Sequence, residues 1–193
     1  MSTRFSTGCS GAITDVRASL RQATATDHER LDALFGRFRL SEAADYRAFL
    51  TAHAMALPAI EAALDAAGFA DALDDWPARK RGAAIAADLS ALGAPVPAPL
   101  AAPALVSRAA QWGAAYVVEG SRLGGALLAR SVPADLPKSY LGSVQPPGNW
   151  RKFLEKLDKA LSLPQDITHA TESARATFGL FEQAGLRVRG AMD

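Results

Sequence analysis

The segment Tyr116-Val-Val-Glu-Gly-Ser-Arg-Leu-Gly-Gly-Ala-Leu-Leu-Ala129 sets a helical pattern against three glycines. The apolar flanks, Tyr116-Val-Val and Ala126-Leu-Leu-Ala, keep helical spacing on both sides. Gly120, Gly124 and Gly125 therefore fall inside a helix and not after it. Each interior glycine costs roughly 0.5–1 kcal/mol relative to alanine, so three cost about 2–3 kcal/mol and something must offset them. Two readings stand. Either Gly120 and Gly124 let another helix pack closely, or main chain stripped of side chains lies against a flat ligand.

Working outward, the helix spans about Ala104 to Ala129. Pro133 and Pro137 mark its far side, and Pro146-Pro147-Gly148 makes a further loop. Upstream, a helix is expected from about Asp15, with Leu20, Ala23, Leu31, Leu34, Phe35 and Phe38 near helical spacing. Ser41-Glu-Ala-Ala reads as an N-cap for a helix reaching about Ala67, with Tyr46, Phe49, Leu50, Leu57, Ile60 and Leu64 inward. Pro58 predicts a kink or break in it, and Gly68 a stop. Pro77 opens a helix carrying Ile85 and Leu89 inward, and Ala94 to Leu100 is a proline-rich loop. Downstream, Trp150 to Leu161 is amphipathic, with Trp150, Phe153, Leu154, Leu157 and Leu161 on one face. Pro164 opens a last helix with Ile167, Ala174, Phe178 and Phe181. No strand pair or internal repeat emerges.

Composition agrees. Hydrophobic residues make up 49% of the 193 but aromatics only 7%, so Ala and Leu must fill much of the core. Both favour helices, whereas strands prefer β-branched and aromatic residues. The expectation is one all-α domain over residues 14–190, preceded by a flexible tail over 1–13 that is rich in Ser, Thr and Gly.

Several function classes are disfavoured. The net charge is +1, with 21 basic and 20 acidic residues and no dominant basic stripe, so nucleic acid is not an expected partner. No apolar run is long enough for a membrane span. The single cysteine, Cys9, excludes an internal disulfide and fits a cytoplasmic setting. A di-metal carboxylate bundle needs paired Glu-x-x-His motifs, and none occurs. His53 and His169 read as structural or exposed, and Trp76 and Trp112 as packing residues.

His28 is different. It follows Thr24 by four residues and precedes Leu31 by three and Phe35 by seven, which places it on the inward stripe of its helix. An imidazole there either bonds a neighbour or ligates a metal, and imidazole suits iron.

Together, the order of an inward histidine, a glycine-broken helix and a later basic aromatic helix resembles the haem oxygenases. Arg21-Gln-Ala-Thr-Ala-Thr-Asp-His28 looks like that family's proximal helix, and Glu119-Gly-Ser-Arg-Leu-Gly-Gly125 like its distal helix in the bacterial form. The likeness covers about Ala18 to Ala184. It implies a haem oxygenase-like multi-helix bundle with His28 as the proximal iron ligand. Gly120 and Gly124 would contact the opposite haem face, with Gly125 extending the bend. Arg21 would lie near a propionate, as would Arg151, and Thr24 belongs to the proximal motif. Ser121 stands where animal-type members carry an aspartate. Glu155 falls near where some members place an arginine, which leaves the attacked meso carbon open.

The resemblance implies that haem, iron protoporphyrin IX, is both cofactor and substrate. It would be opened with O2 and electrons to biliverdin, carbon monoxide and iron. No flavin or nicotinamide fingerprint is present, so a separate ferredoxin- or reductase-type donor is implied. The bilin product would serve iron recovery or supply a bilin-accepting photoreceptor. Helical spacing turns Glu119 and Arg122 away from the face that holds Gly120 and Gly124. The rival is a haem-binding or haem-sensing protein of the same fold without turnover.

Overall fold

The computed structural model describes residues 15–143 and 145–192; the tail expected over residues 1–13 lies outside them. Among the described residues there are eight α-helices and no strand. They are α1 (Val16–Ala23), α2 (Ala25–Phe35), α3 (Ala43–Ala66), α4 (Trp76–Arg79), α5 (Gly82–Ala91), α6 (Arg108–Leu128), α7 (Asn149–Ala160) and α8 (Pro164–Arg189). Short 3-10 turns cover Phe69–Asp71 and Ala129–Ser131.

Most of the apolar residues expected inward are buried, and Leu31, Phe35, Trp150, Leu154 and Ile167 are partly so. Tyr46, Leu50, Leu57, Ile60 and Leu64 of α3, Ile85 and Leu89 of α5, and Phe153 and Leu157 of α7 are fully buried in one core. The long α8 is the central strut, lying against α6, α3, α2 and α1. Its close approach to α6 depends on Gly113, where a Cβ would stand 2.0 Å from the Ala170 carbonyl oxygen. Gly185 does the same toward Leu34 and Phe35 of α2.

Four expectations change. The first helix is two helices: Thr24, with φ −107 and ψ 3, ends α1 and starts α2. Its hydroxyl donates to the Leu20 carbonyl at 2.8 Å, a local bond that competes with helix continuation. The α3 N-cap is Glu42, not Ser41. Pro58 does not break α3, which continues through it. A loop amide supplies a partner in the turn before the proline, Leu100 N–H donating to the Met55 carbonyl at 2.8 Å. The helix expected from Pro77 is divided at Lys80, which is extended. The reason is tertiary: the buried Glu61 carboxylate of α3 accepts the amides of Arg81 (2.6 Å) and Gly82 (3.0 Å), capping α5 from outside its own segment. Gly68, by contrast, stops α3 in the left-handed region as its sequence position suggested, with φ 68.

Candidate functional site

The glycine segment lies within α6, which runs unbroken from Arg108 to Leu128. One stripe of this helix contains Gly113, Val117, Gly120, Gly124 and Leu127, spaced four, three, four and three apart. Its first half is packed. Gly113 abuts α8 at Ala170, and Val117 is buried with Ala174 and Phe178. Its second half is open. A Cβ at Gly124 would meet no atom within 4 Å, and one at Gly120 would meet only the Trp150 ring at 3.7 Å, an ordinary contact. Leu123 and Leu127 beside them are 59% and 64% exposed. Helix packing therefore explains Gly113 but not Gly120 or Gly124.

His28 borders the same place. Its imidazole stands edge-on to the Phe178 ring, with centroids 5.9 Å apart. Phe178 in turn packs on Val117, one turn before Gly120. The inward burial expected for His28 is corrected: its side chain is 63% exposed. Within α2 His28 keeps its place three residues before Leu31 and seven before Phe35, both packed against the core, but the near-perpendicular Phe178 ring leaves most of its side chain uncovered. His28 Nδ1 lies 3.0 Å from the Asp32 carboxylate, one turn on. With Nδ1 donating there, Nε2 keeps its lone pair and is the nitrogen that can ligate a metal.

The rim of this opening carries aromatic rings and cations. The Tyr116 ring lies 6.0 Å from that of Trp150. Burial raises the Tyr116 hydroxyl above its usual range, and the nearby Arg21 charge pulls it back down. Arg151 follows Trp150 and is 78% exposed, 3.6 Å from Glu155.

Behind α6 lies a buried ionic cluster. The Glu119 side chain is fully buried and accepts from Arg79 Nη1 at 2.7 Å and from Arg122 Nε and Nη2 at 3.1 Å. Gln145 also donates to Glu119, and Arg122 to the Arg79 carbonyl. Arg79 is held bidentately by Asp75 at 2.7 and 2.8 Å. Arg81 Nη2 donates to the Val118 carbonyl and to Ser121 Oγ, both at 2.7 Å. Both charged residues of the glycine segment are thus tied to the back of the helix.

Against known proteins, no family model matches. A Xanthomonas campestris pv. campestris (strain 8004) protein named haem oxygenase is 35% identical over 130 residues, covering 60% of this chain and 78% of that protein. This chain belongs to the haem oxygenase family. Its fold agrees: the NO- and CO-bound haem oxygenase from Neisseria meningitidis superposes with a TM-score of 0.71, covering 93% of this chain and 94% of that one at 22% identity.

The residues present fit a haem by their chemistry. There is one imidazole with a free nitrogen on one side and bare helix on another. Apolar side chains flank them, and cations sit at the rim for two carboxylates. Some residues named from the family motif lie outside this geometry. Gly125 is buried, with a Cβ position 3.7 Å from Leu141, and does not share the open stripe. Ser121 Oγ donates to the Val118 carbonyl at 2.7 Å besides accepting from Arg81. Thr24 is buried with its hydroxyl spent on Leu20. Sequence reading does not bring Asp32 to the site, takes Phe178 only as a core residue, and expects Glu119 and Arg122 to turn away without naming their partners Arg79 and Gln145. Of the missed partners, only Asp32, four residues after His28, left a signal in the sequence.

A hollow of 490 Å³ lined by Asp71, Arg108, Trp112, Lys156 and Lys159 lies away from His28. Two of its three cations have protein partners, Lys156 with Asp74 at 2.6 Å and Arg108 with Gln111 at 2.8 Å.

Proposed function

We propose that this chain is a haem oxygenase that cleaves haem to biliverdin, carbon monoxide and iron, using O2 and electrons from a separate ferredoxin- or reductase-type donor. The observation that carries the reading is the half-packed stripe of α6. Gly113 and Val117 are covered by α8, while Gly124 faces open space and Gly120 has only the Trp150 ring in ordinary contact, beyond the Phe178 ring that meets His28. Two unpaid glycine costs, about 1–2 kcal/mol together, make sense if a flat substrate covers that stretch.

His28 Nε2 would hold the iron, with Asp32 fixing the tautomer through Nδ1. Gly120 and Gly124 would let backbone, free of side chains, lie against the flat group. Arg21 and Arg151 would meet the propionates. The bound haem supplies the iron at which O2 is reduced. What the protein withholds matters as much. Glu119 and Arg122, the charged residues of this stretch, are paired with each other and with Arg79, so neither would offer a proton or a charge on the glycine side of the helix. A cytoplasmic setting goes with this reading.

The test adds hemin to the purified protein, then reductant under air. Loss of the Soret band with biliverdin identified by chromatography is expected, and His28→Ala should lose the wild-type haem spectrum. A stable haem complex that survives repeated reduction under air would leave a haem-binding protein without turnover.

A further inference from the structure

The turn that carries His28 is held from outside by α8. Helix α1 closes on the Thr24 N–H bond to Leu20, and α2 opens on the His28 N–H bond to Thr24. In place of a helical amide, the Ala23 carbonyl between them accepts two donors from one guanidinium, Arg175 Nη2 at 2.7 Å and Nε at 3.0 Å. Arg175 Nε also lies 3.6 Å from Asp27, the residue before His28. Phe178, one turn further along α8, meets the His28 ring. Beyond it, Glu182 lies 3.5 Å from Arg30, which itself bonds Asp27 at 2.7 Å. One face of α8 thus touches the His28 segment at a carbonyl before it, at its own ring and at a side chain after it.

We infer that Arg175 is a positioning residue for His28: its fork on the Ala23 carbonyl fixes the bend between α1 and α2 and so the direction of the imidazole. The inference rests on the reading of His28 as the iron ligand. A break in a helix leaves carbonyls without partners, and an unclamped break would bend freely. Arginine suits the task because two of its nitrogens reach one acceptor from a planar group, whereas lysine brings a single point of contact. Arg175 is 56% exposed, so the contact adds little to folding. Its effect is on angle, and a small error there is felt at the end of an imidazole.

The experiment compares wild type, Arg175→Ala, Arg175→Lys and His28→Ala. It measures hemin affinity, the iron–histidine stretch in the resonance Raman spectrum of the reduced haem complex, and the melting temperature without haem. For Arg175→Ala we expect hemin affinity down about tenfold and the stretch shifted or broadened, with melting nearly unchanged. Arg175→Lys should fall between it and wild type. If Arg175→Ala does not fold, the lysine variant carries the comparison by the same criteria. A wild-type stretch and affinity in the Arg175 variants, with the stretch lost in His28→Ala, overturns the positioning role alone. A wild-type stretch in His28→Ala overturns the ligand assignment, and the positioning role with it.

Discussion

A methyl group placed on Gly124 meets nothing within 4 Å, yet one placed on Gly113 lands 2.0 Å from a backbone oxygen. The two glycines of one helix should therefore respond in opposite directions. Gly124→Ala is expected to raise the stability of the haem-free protein by about 0.5–1 kcal/mol, the helical propensity difference, and to weaken hemin binding by crowding the open face. Gly113→Ala must push α6 and α8 apart and should cost roughly 3 kcal/mol or more. Urea unfolding of the haem-free variants, with a hemin titration of each, checks both signs; a destabilised Gly124→Ala would mean that protein already fills the space. The conflict between glycines and helical pattern was legible in the sequence because propensity is local. Which glycines serve packing was not, since the answer lies on α8, more than forty residues away. His28 was legible as a residue, whereas its exposure depends on how far α8 covers it, and there Phe178 meets its ring near-perpendicularly and leaves most of the side chain open.

Helix α6 can offer its glycines to a ligand only if it does not rotate, and the buried carboxylate behind it holds that orientation. Glu119 compensates Arg79 and Arg122 where all three side chains are at most 7% exposed. Removing one partner of such a cluster strands the others. Glu119→Gln is expected to cost about 3 kcal/mol, less than a bare buried pair because Asp75 still holds Arg79. It should weaken hemin binding too, as the helix turns. Arg151→Ala removes an exposed pair with Glu155 and should change stability by no more than about 0.5 kcal/mol. Equal losses for the two in denaturant unfolding would count against the cluster as an anchor. At this scale the sequence told where helices lie but not how they are joined. The split at Lys80 and the start of α5 follow from the Glu61 carboxylate reaching across from α3, and no window around Pro77 contains that residue.

The helices meet at His53, whose ring lies 4.7 Å from Phe35 of α2, 4.1 Å from Phe49 of α3, 5.6 Å from Phe181 of α8 and 5.5 Å from Tyr140 in the loop between α6 and α7. Its Nδ1 donates to the Phe49 carbonyl at 3.0 Å. Burial pushes its pKa down to about 4 from an ordinary 6.5, and the Arg81 charge pushes the same way against that carbonyl's pull. The unfolded chain thus takes up a proton near pH 6.5 that the folded chain refuses until about pH 4. Stability from this residue is complete above pH 6.5 and drains away as pH falls through that window, by at most about 3 kcal/mol. Glu61 works the other way. Burial raises its pKa despite its two amide partners, so acidification relieves a cost there. The net slope of the wild type therefore understates His53, and the informative quantity is a difference. His53→Gln should be less stable at pH 7 yet lose less on going to pH 4.5, where the two proteins converge. Parallel urea-unfolding profiles for wild type and variant across this range would place the acid sensitivity elsewhere than in the ring cage that joins α2, α3 and α8.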